Sequence, residues 1–221
     1  KRNLLEECYE VLEAIDQNEP QKLREELGDL LFQIVFHCCL AEEAGSFTPE
    51  QVFQELNKKL IKRHPHVFEN DQKMQPSEIE EKWDAQKRAE RGGQSSLDRV
   101  PVDLPALAYS QIIQDRAART GFDWDNIDGV LEKLKEEVVE FQTTFSEEER
   151  QWEMGDILFS LVNLARWMDI HAEDSLRRAN ARFFERFSYM ERRCQQEGRL
   201  FADLPHDEKE ALWREAKEVL D

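Results

Sequence analysis

The sequence predicts an all-α protein built on a duplicated helical unit. Three observations carry that expectation. Helical periodicity runs through the chain with no convincing strand pattern. Helix breakers are few, with 8 glycines and 7 prolines in 221 residues. Matching segments recur in the same order, at spacings from 123 (Asn57 to Asn180) to 130 (Glu6 to Glu136).

The elements follow in order. The chain is already in helical register at Lys1, giving a first helix over 2–17. It lacks an initiating methionine, so the natural N-terminus is expected to lie upstream. Pro20 opens a helix over 20–44, where its missing N–H costs nothing. Thr48-Pro49-Glu50-Gln51 reads as a capping box opening 48–63, and Ser77-Glu78-Ile79-Glu80 as another opening 77–91. The stretch RGGQSSLDRVPVDLP (91–105) is the one interdomain linker expected. Helices over 105–120 and 127–144 follow. Ser146-Glu147-Glu148-Glu149 caps a helix over 146–169, and two more cover 172–196 and 207–219. The organisation expected is therefore an N-terminal unit 1–91 lacking its first helix, a linker 92–104, and a C-terminal unit 105–221.

The composition restricts the partners. Charged residues make up 35% of the chain and the formal net charge is −18, which argues against a nucleic-acid backbone as ligand. A small polyphosphate remains compatible, given metal ions and a few placed cations. The most apolar stretch, Leu30 to Leu40, contains Gln33 and His37 and is too short for a membrane span. Cys8, Cys38, Cys39 and Cys194 form no CxxC pair. They read as free thiols of a reducing cytoplasm.

The repeat concentrates acidic residues. ELGDLLF (26–32) returns as EMGDILF (153–159), and Glu6, Glu7 and Glu10 match Glu136, Glu137 and Glu140. In the second copy, Glu137 and Glu140 share one helix face, and so do Glu153 and Asp156. Antiparallel packing of the two helices would bring four carboxylates together, and their repulsion calls for a divalent cation. All-oxygen ligands suit Mg²⁺, or Mn²⁺ as a substitute. The first copy offers Glu7, Glu10, Glu26 and Asp29 as a second, possibly silent, set. A lone EExxE in a chain with 48 acidic residues is a weak signal, most often a solvated face. Its recurrence ahead of ExGDxLF is what raises it. Gly28 and Gly155 read as points of close approach, and Leu31-Phe32 and Leu158-Phe159 as core.

Placed cations accompany the acids. Lys133 stands one turn before Glu137, and Arg182 and Arg186 share a face, as do Lys59 and Arg63. Such side chains clamp phosphate oxygens or form ordinary surface pairs. Trp213 with Lys217, and Trp83 with Lys87, suit stacking on a base beside a phosphate, against the commoner reading of a core tryptophan. No His stands three after a Glu, so the ligands of a di-iron redox bundle are missing.

As a set, the segments EECYE with ELGD, RHPHVF, GFDW, EEVVE with EMGD, and NARFFERF with a final Trp-x-x-x-Lys resemble the MazG family of nucleoside triphosphate pyrophosphohydrolases. The resemblance spans essentially the whole chain as two tandem MazG units. It implies four-helix-bundle units of the all-α NTP pyrophosphatase type, assembled as a homodimer. It also implies Mg²⁺-dependent hydrolysis of an NTP such as ATP to NMP and pyrophosphate. On that resemblance Glu137, Glu140, Glu153 and Asp156 hold metal, while Lys133, Arg182, Arg186 and Trp213, with Lys217, contact nucleotide. Water attacks the α-phosphorus with Glu136 or Glu137 as base, and Lys133 and Arg186 stabilise the charge that develops. The chain departs from the family at Arg182, where lysine is usual, and at Ile112, where a lysine is usual. The CPWD-like segment expected before Lys1 is absent. Asn3 stands where the second copy has Lys133, so the C-terminal unit is expected to be the active one. The competing reading is a non-catalytic metal- or nucleotide-binding dimerisation module.

Overall fold

The structure, a computed structural model, describes residues 1–63, 95–98 and 100–220. Among these the chain is all-helical, with α1 (Arg2–Asp16), α2 (Pro20–Glu43), α3 (Pro49–Arg63), α4 (Ala106–Ala118), α5 (Ile127–Thr143), α6 (Glu147–Trp167), α7 (Ala172–Gln196) and α8 (His206–Leu220). A single 3₁₀ turn, Phe201–Asp203, precedes α8. The contacts divide the chain into two units, Lys1–Gly93 and Gln94–Asp221. The helix expected over 77–91, its Ser77 box, Trp83, Lys87 and the RHPHVF segment after Arg63 lie outside the described residues.

In the N-terminal unit, α1 and α2 pack along each other as a hairpin, and α3 adds to α2. Three residues suffice for the turn because Asn18 takes a left-handed conformation (φ 52°). Pro20 stands at the first turn of α2 as the sequence predicts. The Thr48 box is reciprocal: the Gln51 N–H donates to Thr48 Oγ1 (3.3 Å) and the Thr48 N–H to Gln51 Oε1 (2.9 Å). Two donors at the α3 start are thereby satisfied.

The C-terminal unit repeats the hairpin as α5 and α6, again the most extensive packing of the unit. Asn126, which periodicity alone does not flag, caps α5 by accepting from the N–H groups of Asp128 (3.0 Å) and Gly129 (3.2 Å). Ser146 accepts from the Glu149 N–H at 3.4 Å and caps α6. Helix α4 packs on α6 and α7, and α8 lies along α7. Residues 95–98 do not hang free. Arg116 Nη1 donates to the Asp98 carbonyl (2.8 Å), and Val100 is buried.

One expectation fails. Leu31, Phe32, Leu158 and Phe159 are all exposed, Phe32 at 62%, so they are not core of this chain. The cause lies in the geometry of a hairpin. It buries only the stripe between its two helices, here Val11, Ala14, Val130 and Val162, and leaves the flanking apolar stripe uncovered.

Candidate functional site: two acidic hairpins and a cavity

Helices α5 and α6 bring Glu137, Glu153 and Asp156 together, with one carboxylate oxygen of each within 4.8 Å of the others. The i, i+3 spacing of Glu153 and Asp156 puts both on one face of α6, and α5 supplies Glu137 opposite. Glu140 is not part of this group. It is exposed, and its charge acts on Glu153 more strongly than those of Glu137 and Asp156. The same arrangement recurs on α1 and α2 with Glu7, Glu26 and Asp29. There Glu10 falls outside that mutual distance but lies beside Glu7, and desolvation followed by Glu7 raises its pKa. Three of the four carboxylates expected in each hairpin thus meet within that distance, and the fourth, Glu140 or Glu10, lies beside them.

The groups strain against one another. Partial desolvation, then the charges of Glu140, Glu137 and Asp156, push Glu153 above its ordinary pKa. Glu26 is raised in the same way, by desolvation and then by Glu10 and Glu25. Like charges held this close disfavour ionisation.

The two hairpins differ in the cation they carry. Glu137, 5% exposed, meets Lys133 Nζ at 2.8 Å, and the same ammonium reaches Glu136 at 2.7 Å. Those two bonds push the Lys133 pKa upward and keep it charged. In the N-terminal hairpin Glu7 accepts instead from the neutral amide of Gln33, at 3.5 Å. Asn3 occupies the position matching Lys133. Lys22, whose charge acts on Glu10 and Glu26, pairs with Glu13 at 2.8 Å.

Beside the C-terminal group lies a cavity of about 700 Å³. Lys133, Glu137 and Asp156 form part of its wall, so the acidic group opens into it. The rest is mainly apolar and aromatic, from Phe122, Trp124 and Phe159, with Gln114, Ser160 and Asn163 between. Helix α6 builds one side as a stripe: Asp156, Phe159, Ser160, Asn163 and Arg166 fall at the spacings of a single helix face.

The GFDW segment forms the cavity's rim. Gly121 (φ 90°) ends α4 in a left-handed turn, with the Phe122 N–H donating to the Ala117 carbonyl (3.2 Å). That reversal delivers Asp123 to Arg166, which donates through Nη1 (3.0 Å) and Nη2 (2.5 Å). The Trp167 indole N–H adds a third bond to Asp123 at 3.1 Å. Burial alone would raise the Asp123 pKa, but Arg166 and the Trp124 N–H hold it below the ordinary value. Trp124 then lies over Gly129, where a Cβ would stand 2.7 Å from its ring. At Gly28 and Gly155, by contrast, nothing approaches within 4 Å. Among the described residues, the glycines of the repeated motif serve no close packing.

The remaining predicted residues form a separate cluster between α7 and α8. The Arg186 guanidinium and the Lys217 ammonium both lie over the Trp213 ring, at 5.6 and 5.9 Å, and Phe183 tilts against it at 5.5 Å. Arg182 is exposed one turn before Arg186. None of Arg182, Arg186, Trp213 and Lys217 lies in the wall of the cavity.

Sequence reasoning overlooked Gln114, Ser160, Asn163, Arg166 and Asp123. The i+4, i+7 and i+10 positions after Asp156 were a usable signal. A stripe mixing phenylalanine, serine, asparagine and arginine, however, has no hydrophobic period to draw attention to it.

Such an architecture defines a class: an all-α protein in which duplicated helical hairpins each present a three-carboxylate group of the kind that holds a hard cation. Comparison with known proteins narrows it. The profile of the MazG nucleotide pyrophosphohydrolase domain matches residues 1–68. The chain is 41% identical over 219 residues to the nucleoside triphosphate pyrophosphohydrolase/pyrophosphatase MazG of Thermotoga maritima, covering 98% of this chain and 84% of that one. It is 39% identical to the nucleoside triphosphate pyrophosphohydrolase of Escherichia coli K12, covering 96% and 84% of the two chains. It is also 40% identical to the Bacillus subtilis protein YabN over 99% of this chain and 46% of that one. The chain belongs to the MazG family.

Proposed function

We propose that this chain is a nucleoside triphosphate pyrophosphohydrolase, converting an NTP and water to NMP and pyrophosphate. The observation that carries the reading is the Glu137, Glu153 and Asp156 group, with a charged Lys133 at 2.8 Å from Glu137. The names of the relatives agree with it.

The donor set suits magnesium or manganese. All ligands are carboxylate oxygens, and the upward shift of Glu153 marks a site whose charge is unbalanced without a cation. Glu137, Glu153 and Asp156 would hold it, with Glu140 near enough to tune Glu153. Bound there, the cation would draw charge from the phosphate oxygens and make a nearby water more acidic. The protein's own groups do the rest. Lys133, pinned by Glu136 and Glu137, presents a fixed positive charge to the triphosphate. The proton of the attacking water passes to Glu136 or Glu137, the two carboxylates that share Lys133. The water oxygen bonds to the α-phosphorus as the bridge to the β-phosphate breaks. Arg182 and Arg186, with Lys217 held on Trp213, supply the outlying cations for departing pyrophosphate. The domain assignment proposed is 1–91 and 105–221 as tandem MazG units joined by 92–104, with 105–221 as the catalytic one. The N-terminal unit is a cation-holding module whose chemistry is missing with the Lys133 equivalent.

Ion-exchange analysis of ATP incubated with the protein and Mg²⁺ is expected to give AMP and pyrophosphate in equal amounts. ADP with phosphate would mean that a different bond is cleaved.

The pairing proposed is a homodimer, supported by the uncovered apolar side chains of α2 (Leu27, Leu31, Ile34, Val35) and of α6 and α7 (Leu158, Phe183). Light scattering should give twice the chain mass; a monomer at micromolar concentration would refute the pairing.

The raised carboxylates also set a pH dependence. An acid whose folded pKa exceeds its unfolded value binds more protons when folded, so its contribution to stability falls as pH rises through that window. Glu153 and Glu26 both shift upward from 4.5. The metal-free protein should therefore carry their full penalty at pH 8 and little of it below pH 4.5. Mg²⁺ is expected to raise the melting temperature more at pH 8 than at pH 5. An equal rise at both values would contradict the assignment.

A further inference from the structure

The stretch RGGQSSLDRVPVDLP reads as a spacer, and a spacer leaves its backbone carbonyls to water. Residues 95–98 behave otherwise. Ser95 opens a tight turn: its Oγ accepts from the Leu97 N–H at 3.3 Å, and its carbonyl from the Asp98 N–H at 3.1 Å. Arg116 fastens that turn from α4. Its Nη1 donates to the carbonyls of Ser96 (3.4 Å) and Asp98 (2.8 Å), the two residues that flank Leu97. Val100, 7% exposed, anchors the chain two residues further on. Between these anchors, Leu97 forms part of the wall of the cavity that also contains Lys133, Glu137 and Asp156. Helix α4 serves both ends. Its Ile113 and Ala117, one turn apart, line the same cavity, and Arg116 beside them holds the turn.

We propose that residues 95–98 are a strap belonging to the substrate site of the C-terminal unit. Leu97 is the part of it that meets substrate, and Arg116 is the positioning residue that holds Leu97 in place. The inference rests on the hydrolase reading of the acidic group, because it takes the cavity beside that group as the place substrate occupies. The stretch expected to join the units, 92–104, then also completes one of them.

The physical effect is preorganisation. Arg116 grips main-chain oxygens, so it fixes the path of the turn. A leucine on a fixed turn has little left to order when substrate arrives. Released from Arg116, the turn would have to be ordered again at each binding event. That loss falls equally on the bound substrate and on the transition state, because neither Arg116 nor Leu97 belongs to the acidic group. It is therefore read in KM and not in kcat.

The test is a double-variant cycle on the full chain: Leu97→Ala, Arg116→Met and the two combined. KM and kcat are read for ATP with Mg²⁺, and Kd by calorimetry for α,β-methylene-ATP with Mg²⁺, whose bridge cannot be hydrolysed. Each single variant should raise KM and Kd about tenfold, the scale of lost apolar contact in a binding pocket. The pair together should also lose about tenfold, because Arg116 has nothing to position once Leu97 is truncated. Misfolding would lower kcat per mole of protein and leave KM intact. KM and Kd at wild-type values in either single variant overturn the inference, whatever kcat does. So does a combined loss near a hundredfold, which would mean that the two residues act independently. A wild type that binds the analogue but releases no pyrophosphate from ATP would remove the hydrolase reading, and the Kd cycle alone would then decide the strap. Absence of nucleotide binding would remove both.

Discussion

Asp156→Ala is expected to lower pyrophosphate release about a thousandfold, and Glu153→Ala to do the same. A bound cation contributes several kcal/mol to charge stabilisation in phosphoryl chemistry, and each 1.36 kcal/mol is tenfold in rate. Asp156 is both a member of the acidic group and part of the cavity wall, so on the proposed reading its loss would remove a metal ligand. Stability distinguishes this from general damage. The side chain is exposed and crowded by Glu153, so the metal-free variant should melt no lower than the wild type while losing its response to Mg²⁺. Asp29→Ala, at the matching position of the N-terminal hairpin, should retain most of the activity. Retention of activity by Asp156→Ala would overturn the site. Equal losses in Asp156→Ala and Asp29→Ala would overturn the division of labour between the hairpins.

Lys133→Met should reduce turnover about a hundredfold, the scale of removing one preorganised charge aimed at a developing anion. Its stability signature is opposite to that of Asp156→Ala. Lys133 is the cation bridging Glu136 and the buried Glu137. Without it Glu137 is left buried beside two other carboxylates, and the metal-free protein should melt lower. Mg²⁺ should recover much of that loss, because it supplies positive charge at the same place. A variant as active as the wild type would show that Lys133 is structural. The reciprocal substitution, Asn3→Lys, would place an ammonium one turn before Glu7.

What was legible followed from local physics. Pro20, the Thr48 box and the Ser146 cap locate helix starts because the first-turn donors need partners within a few residues. The acidic pairs were legible because i, i+3 spacing fixes a shared face whatever the packing. The count of carboxylates that meet was not. Glu137 and Glu140 share a face of α5, but the spacing does not fix how that face is turned toward α6, and Glu137 is buried while Glu140 is exposed. Leu31 and Phe159 were misread as core because an apolar residue on an amphipathic helix signals only that something covers it, not that its own chain does. The Asp123–Arg166 clamp spans 43 residues, and Gln114 meets the Phe159 carbonyl across 45. Pairings of that range have no periodicity to reveal them. The GFDW segment stood out as a motif before it had any role, and the Gly121 turn explains it as the element that carries Asp123 and Trp124 to the cavity.

The central claim is that Glu137, Glu153 and Asp156 hold one divalent cation. The direct measurement is an electron paramagnetic resonance titration with Mn²⁺ on the full chain, carrying Glu7→Gln, Glu26→Gln and Asp29→Asn so that only the later hairpin reports. The account predicts a saturable Mn²⁺ site displaced by Mg²⁺, which disappears when Glu153→Gln and Asp156→Asn are added. Equal Mn²⁺ uptake before and after those two changes would contradict it.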